Sequence, residues 1–191
     1  VAFTPRTAAK DESNPVVNMN LPGLAANTCG IEIEEYISMP IDQDNRVQFG
    51  LPGLEEEFPS SVWADVIEPN GADVIAWHAQ DFYAKKPAAT INRFEKGRVI
   101  YLGIMGDRAY YHAIARWISG LAGIEPLLDA PTGVEITERW QGERRYLFVL
   151  NHMEQPQKIE LDMRYTNLLD GKPLIGEVQI EPLGVLILTA K

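Results

Sequence analysis

The residue types that could carry chemistry are few in this chain and scattered along it. Its only cysteine, Cys29, stands next to Gly30, as a nucleophile at a sharp turn would. A nucleophile elbow runs from a strand into a helix. The pattern around Cys29 predicts the reverse order, a short helix before it and a strand after it, so Cys29 reads as a small buried hydrophobe. His78, His112 and His152 lie far apart and no H-x-x-x-H spacing occurs. They read as packing or surface histidines rather than zinc ligands. Neither G-x-G-x-x-G nor G-x-x-x-x-G-K-[ST] is present, which leaves a dinucleotide or phosphate cradle unsupported. Glycoside chemistry needs a defined carboxylate pair, and none stands out: Glu32, Glu34 and Glu35 lie in Ile31–Tyr36, whose start alternates apolar and acidic residues like a half-exposed strand. Trp63, Trp77, Trp117 and Trp140 could stack on a sugar ring. Trp117 and Trp140 fall on predicted core faces, and core packing is the expectation for all four.

The elements that would position such residues are clearest between Asp73 and Ala122. Strands are predicted at Asp73–Ala79, Ala88–Phe94 and Arg98–Ile104, with a tight turn at Glu95-Lys96-Gly97. Val74-Ile75-Ala76-Trp77 and Val99-Ile100-Tyr101-Leu102 are apolar at every position, as in strands covered on both faces. A helix is predicted over Asp107–Ala122, capped by Asp107 and stopped by Gly123, with Tyr110, Ile114, Trp117 and Leu121 as its buried stripe. Upstream, Val1–Pro5 reads as a short strand and Arg6–Pro15 as a polar loop. A short helix opens at Leu21-Pro22-Gly23-Leu24 and ends at Gly30. Met39–Pro59 reads mostly as loop with a strand at Arg46–Phe49, Glu55-Glu56-Glu57 as a solvated run, and Trp63–Glu68 as a strand.

From Gly133 onward no segment has a helical period. Val134, Ile136 and Trp140 share one predicted face, a turn falls at Gln141-Gly142, and Tyr146–Leu150 follows. Lys158–Met163 alternates through Ile159, Leu161 and Met163, and Glu177–Ile180 and Gly184–Thr189 follow the turn at Asp170-Gly171. Evenly spaced short strands with turn signals predict a small antiparallel sandwich or barrel. A unit that small is expected to dock on something larger.

The 191 residues carry 17 basic and 27 acidic side chains, a formal net charge of −10. That balance disfavours nucleic acid and an anionic membrane surface as partners, and no apolar run reaches the length of a spanning helix. One cysteine excludes an internal disulfide and suits a reducing compartment; a cytoplasmic setting is expected. The chain starts Val1-Ala2-Phe3-Thr4 without an initiator Met, as a piece of a larger polypeptide would.

Taken together, several segments resemble one family. Arg6-Thr7-x-x-Lys10-Asp11-Glu12, Leu21-Pro22-Gly23-Leu24, Gly30-Ile31-Glu32-Ile33-Glu34-Glu35-Tyr36, Trp63-Ala64-Asp65, Asp81-Phe82-Tyr83-Ala84-x-x-Pro87-Ala88 and Lys96-Gly97-Arg98-x-x-Tyr101-x-Gly103 are similar, in order and spacing, to the middle domain of glycoside hydrolase family 42 β-galactosidases. Tyr146–His152, Leu168–Gly171 and Pro182–Val185 resemble their C-terminal β domain. The resemblance implies an α/β, β-rich, glutamine-amidotransferase-like middle domain over residues 1–128, incomplete at its start, followed by a small all-β antiparallel domain over 129–191. It implies that the two catalytic glutamates of a retaining β-galactosidase lie in an N-terminal (β/α)₈ barrel, which needs about 250 residues and is absent here.

The expected role is therefore the non-catalytic assembly portion of an enzyme that hydrolyses terminal β-D-galactosides, a homotrimer in the parent and inactive as a fragment. No catalytic, cofactor or metal residue is assigned, no cofactor is expected, and the galactoside is met only through the missing barrel. The subunit interface is expected at the loop Arg6–Asn14 and the segment Phe82–Pro87, with Arg6, Lys10, Asp11, Glu12, Phe82 and Tyr83 as its residues. The alternatives are a stand-alone carbohydrate-binding module with an aromatic patch on the β domain, and an amidotransferase-like enzyme built on Cys29.

Overall fold

A computed structural model describes residues 1–40 and 45–190; residues 41–44 of the Met39–Pro59 stretch, and Lys191, lie outside the described residues. The chain divides into two compact units, Val1–Ala122 and Gly123–Lys191.

Among the described residues the first unit contains strands β1 (Ala2–Phe3), β2 (Ile31–Ser38), β3 (Asn45–Phe49), β4 (Glu57–Pro69), β5 (Asp73–His78), β6 (Pro87–Phe94), β7 (Gly97–Leu102) and β8 (Ile104–Gly106). A 3-10 turn at Gly23–Ala25 leads into α1 (Ala26–Cys29), and α2 spans Arg108–Ala122. The strands form one mixed sheet in the order β1-β7-β6-β5-β3-β4-β2, with β8 also paired to β4. Only β1 and β7 run parallel, Ala2 opposite Ile100 and Phe3 opposite Tyr101. The β-rich α/β character expected from sequence is what the unit has.

The predicted strand Arg98–Ile104 is in fact two, β7 and β8, divided at Gly103. The division has a steric cause. A Cβ at Gly103 would lie 2.8 Å from the Ala88 carbonyl oxygen and 3.1 Å from that of Asp65, and the Gly103 carbonyl accepts from the Asp65 amide at 2.6 Å. Backbone approaches backbone there as only glycine allows. Because β8 pairs with β4 through Ser60 and Ala64, the hydrogen-bonded path β4-β3-β5-β6-β7-β8 returns to β4. Closure of this kind removes free edges. It also needs β4 to be long, so Pro59, expected to lie in loop, sits inside a 13-residue strand.

Alternation along β7 separates two cores. Ile100 and Leu102 join Val47, Phe49, Phe58, Ala76 and Tyr110 in one, whereas Val99 and Tyr101 join Cys29, Ile31, Ile33 and Ile67 in the other. Both faces of β7 are thus covered, as its unbroken apolar run requires. The rule fails at β5, where Trp77 is 37% exposed. In α2 the Asp107 carboxylate accepts from the Tyr110 amide at 2.9 Å, and Gly123 takes a left-handed φ of +64° just beyond the last turn. Tyr110 and Ile114 are buried, Trp117 is half-buried, and Leu121 is exposed. The predicted stripe is therefore covered at the start of the helix and uncovered at its end. In the β6–β7 turn the left-handed residue is Glu95, at φ 49°, rather than Gly97.

The second unit is a five-stranded antiparallel sheet in the order β12-β11-β13-β10-β9, with β9 at Val134–Gln141, β10 at Arg144–Asn151, β11 at Gln157–Asn167, β12 at Pro173–Ile180 and β13 at Val185–Thr189. Leu147, Val149, Ile159, Leu161, Tyr165, Ile180 and Leu188 form its core. Two expectations fail here. A register shift between Leu161 and Tyr165 leaves Met163 49% exposed and puts Tyr165 in the core instead, as a bulge re-aims the side chains beyond it. Trp140 shares the core-facing set of β9 with Val134 and Ile136 but sits next to the hairpin turn and is 59% exposed.

Candidate self-association surface

The six residues expected at an interface divide between two loops of the first unit. In the first loop, Lys10 Nζ donates to Asn14 Oδ1 at 3.0 Å, and the Asp11 carboxylate accepts from the Ser13 amide at 2.8 Å. An antiparallel bridge joins Lys10 to Val16. The loop is thus folded on itself, while Lys10, Asp11 and Glu12 stay exposed. Arg6, at a left-handed φ of 66°, reaches out of the loop and lies over the Trp63 ring, 5.2 Å from its centroid. Trp63 stacks on Tyr36 at 5.3 Å with 7° between the ring planes, and Tyr36 is 60% exposed. Arg6, Trp63 and Tyr36 therefore join the loop to β4 and β2. Neither aromatic was singled out from sequence as a surface residue. Alternation along β4 contained the signal, because Ala64 and Val66 lie on the set opposite to Trp63.

In the second loop, Asp81 (φ 70°) and Lys85 (φ 68°) both take left-handed conformations. The chain there is held by bonds from the Phe82 amide to Asp81 Oδ1 at 2.7 Å, Lys85 amide to His78 carbonyl at 2.7 Å, and Lys86 amide to Tyr83 carbonyl at 3.0 Å. Phe82 is 72% exposed. Tyr83 is not available to a partner: it is 2% exposed, with its ring edge-to-face against His78 at 4.8 Å. Its hydroxyl accepts from Asn45 Nδ2 at 2.8 Å and approaches the Met39 sulfur at 3.9 Å. Its part is to anchor the loop that presents Phe82. Lys86 Nζ pairs with the Glu34 carboxylate at 2.8 Å. Strand β2 thus contacts both expected segments, through Tyr36 on one side and Glu34 on the other.

Behind this surface lies a buried polar group that sequence reasoning passed over. Asp65 is 1% exposed; its carboxylate accepts from Trp63 Nε1 and from the Tyr101 hydroxyl, both at 2.8 Å. Burial raises its pKa, and the two donors oppose the rise. His78 Nε2 lies 3.1 Å from the Asp65 carbonyl oxygen, which makes it the protonated nitrogen, and His78 Nδ1 is buried without a partner. Burial holds the His78 pKa below its ordinary value. The group is a scaffold: one carboxylate ties the Trp63 ring to β7.

Cys29 closes the four-residue α1, with a strand following it, and is 1% exposed. Burial pushes its thiol up to about 11, the opposite of what a nucleophile requires. His112 and His152 are exposed. Among the described residues no three acidic, His or Cys side chains are grouped to hold a metal ion, and no helix is long and apolar enough to cross a membrane.

Comparison with known proteins gives two matches along the chain. A family model described as the beta-galactosidase trimerisation domain matches residues 1–125, and one described as the beta-galactosidase C-terminal domain matches residues 133–190. Beta-galactosidase BgaP of Planococcus sp. (strain L4) is 35% identical over 181 residues, covering 93% of this chain and 27% of its own length. Beta-galactosidase LacZ of Heyndrickxia coagulans is 31% identical over 178 residues, with 93% and 26% covered. In solved structures, the beta-galactosidase from Bacillus circulans sp. alkalophilus superposes with a TM-score of 0.89 at 28% identity, over 100% of this chain and 29% of that one. The cold-adapted beta-galactosidase from Rahnella sp. R3 gives 0.86 at 25% identity, with 100% and 28% covered. The chain spans about 27% of the length of the curated relatives it matches.

Proposed function

The chain belongs to the glycoside hydrolase family 42 β-galactosidases, as their trimerisation and C-terminal domains, and on that premise we propose that it is the assembly portion of a retaining β-galactosidase. Its first unit associates with copies of itself, and hydrolysis of terminal β-D-galactosides takes place in a catalytic barrel outside these 191 residues. There, one carboxylic acid protonates the leaving oxygen while a second carboxylate forms the glycosyl intermediate. The observation that carries the reading is the match of residues 1–125 to a trimerisation domain. In the same residues, two hydrogen-bonded loops present Arg6 and Phe82 on either side of β2. Contacts made by loops already fixed in place lose little conformational entropy on association.

The test pairs a mass measurement with an assay. The chain in solution has three times its 21.4 kDa mass and does not cleave a nitrophenyl β-galactoside. A monomer at all concentrations contradicts the assembly role, and turnover by the chain alone contradicts the division of labour.

A further inference from the structure

Where α2 stops covering the β6–β7 hairpin, the first unit has a groove of about 510 Å³. Its floor is apolar, formed by Ile100 of β7 and by Ile118 and Leu121 of α2, and Arg93, Lys96 and Arg98 stand along it. Arg93 and Arg98 are directly opposed across the two strands. They occupy the same strand face as Ile91 and Ile100, which are opposed two positions further along. Like charges facing each other across a strand pair are destabilising. Among the described residues none of these three cations forms an ion pair, although Arg46, Lys86, Arg145, Lys158 and Lys172 all do. The arrangement costs the isolated chain stability and leaves part of the α2 stripe uncovered. An acidic occupant with an apolar anchor relieves both.

The chain has a net charge of −10, so another copy of it is rich in carboxylates. A closed trimer requires a heterologous contact, in which one patch meets a different patch on the next copy. We propose that this groove is one half of that contact, and that it receives a carboxylate-bearing segment of a second copy. The proposal rests on the self-association reading above and specifies which surface carries it.

The experiment is light scattering and sedimentation on the full chain, with Arg93→Glu/Arg98→Glu and Arg93→Gln/Arg98→Gln, each also melted at a dilution where it is monomeric. The expected result is a wild-type trimer that weakens with added salt, a glutamate variant that dissociates at least about tenfold more readily, and a glutamine variant that also associates more weakly. The glutamine variant melts no lower than wild type as a monomer, because it loses only a like-charge opposition, so misfolding cannot mimic the effect. If the glutamate variant fails to fold, the glutamine variant carries the test alone. A trimeric wild type with variants that remain trimeric overturns the groove and leaves self-association standing. In that case, a wild-type melting temperature that rises with inorganic phosphate while the variants' does not assigns the groove to a free anion. A wild type that is monomeric throughout overturns the self-association reading and the groove with it.

Discussion

The Tyr101 hydroxyl donates to the buried Asp65 carboxylate at 2.8 Å, across the junction of β4 and β7. Burial raises the Asp65 pKa above 3.8, and the Tyr101 and Trp63 bonds hold the rise down. A folded value above the unfolded one means that the folded state keeps its proton longer. Stability from this group is therefore full below pH 3.8, falls as pH rises through the folded value, and stays reduced above it. Tyr101→Phe removes a donor to the charged form. The predicted outcome is a loss of about 1.5–3 kcal/mol at pH 7 that shrinks on acidification toward pH 4, read from urea midpoints at the two pH values. A loss independent of pH would show that Tyr101 acts through packing alone.

His78 titrates with the opposite sign. Its folded pKa lies below the ordinary 6.5 because burial disfavours the cation. As pH falls through 6.5 the unfolded chain gains a proton that the folded chain refuses, so stability falls with it until the folded value is reached. His78→Gln should flatten the pH dependence of the denaturation midpoint between pH 7 and the lowered folded value. An unchanged slope would assign that dependence to His112 or His152.

Gly103 is predicted to be irreplaceable on steric grounds. In Gly103→Ala the new methyl carbon meets two backbone carbonyl oxygens, of Ala88 and Asp65, at 2.8 and 3.1 Å, and backbone cannot move aside as a flexible side chain can. The expected cost is about 3 kcal/mol, the upper end of what overpacking produces. A calorimetric melt within a degree or two of wild type would refute the closed strand path through β8.

The cysteine offers a check on what the chain does not do. With its thiol buried and pushed up to about 11, Cys29 should resist a thiol-alkylating reagent at pH 8 in the folded chain and react readily in denaturant. Cys29→Ala should leave the oligomeric state unchanged. Fast alkylation of the folded chain would reopen a nucleophilic role.

These predictions fall on features that the sequence disclosed unevenly. The helix α2 was legible because its signals are local: Asp107 as cap, Gly123 as stop, and Tyr110 and Ile114 at helical spacing. The split at Gly103 was not, since its cause is the approach of residues 65 and 88, distant in the chain. Met163 and Trp140 were assigned to core faces by alternation alone. A bulge reset the pattern before the first, and at the second the pattern ran past the end of the packed sheet. At the candidate interface, sequence pointed to the two loops but could not separate Phe82, which faces solvent, from Tyr83, which faces Asn45 and His78.

The Arg6–Trp63 contact predicts how the two loops share the interface. Arg6→Ala forfeits a cation–π contact worth about 0.5–1 kcal/mol and frees the Arg6–Asn14 loop from β4. Combined with Asp11→Ala, which removes the acceptor for the Ser13 amide, it should weaken association about tenfold while lowering the monomer's stability by less than about 2 kcal/mol. A trimer that persists in the double variant would exclude this loop from the interface.

The most direct measurement of the assembly role is sedimentation equilibrium of the unmodified chain over a wide concentration range. The account predicts a monomer–trimer equilibrium, with a limiting mass three times 21.4 kDa. A single species of 21.4 kDa at every concentration would contradict it.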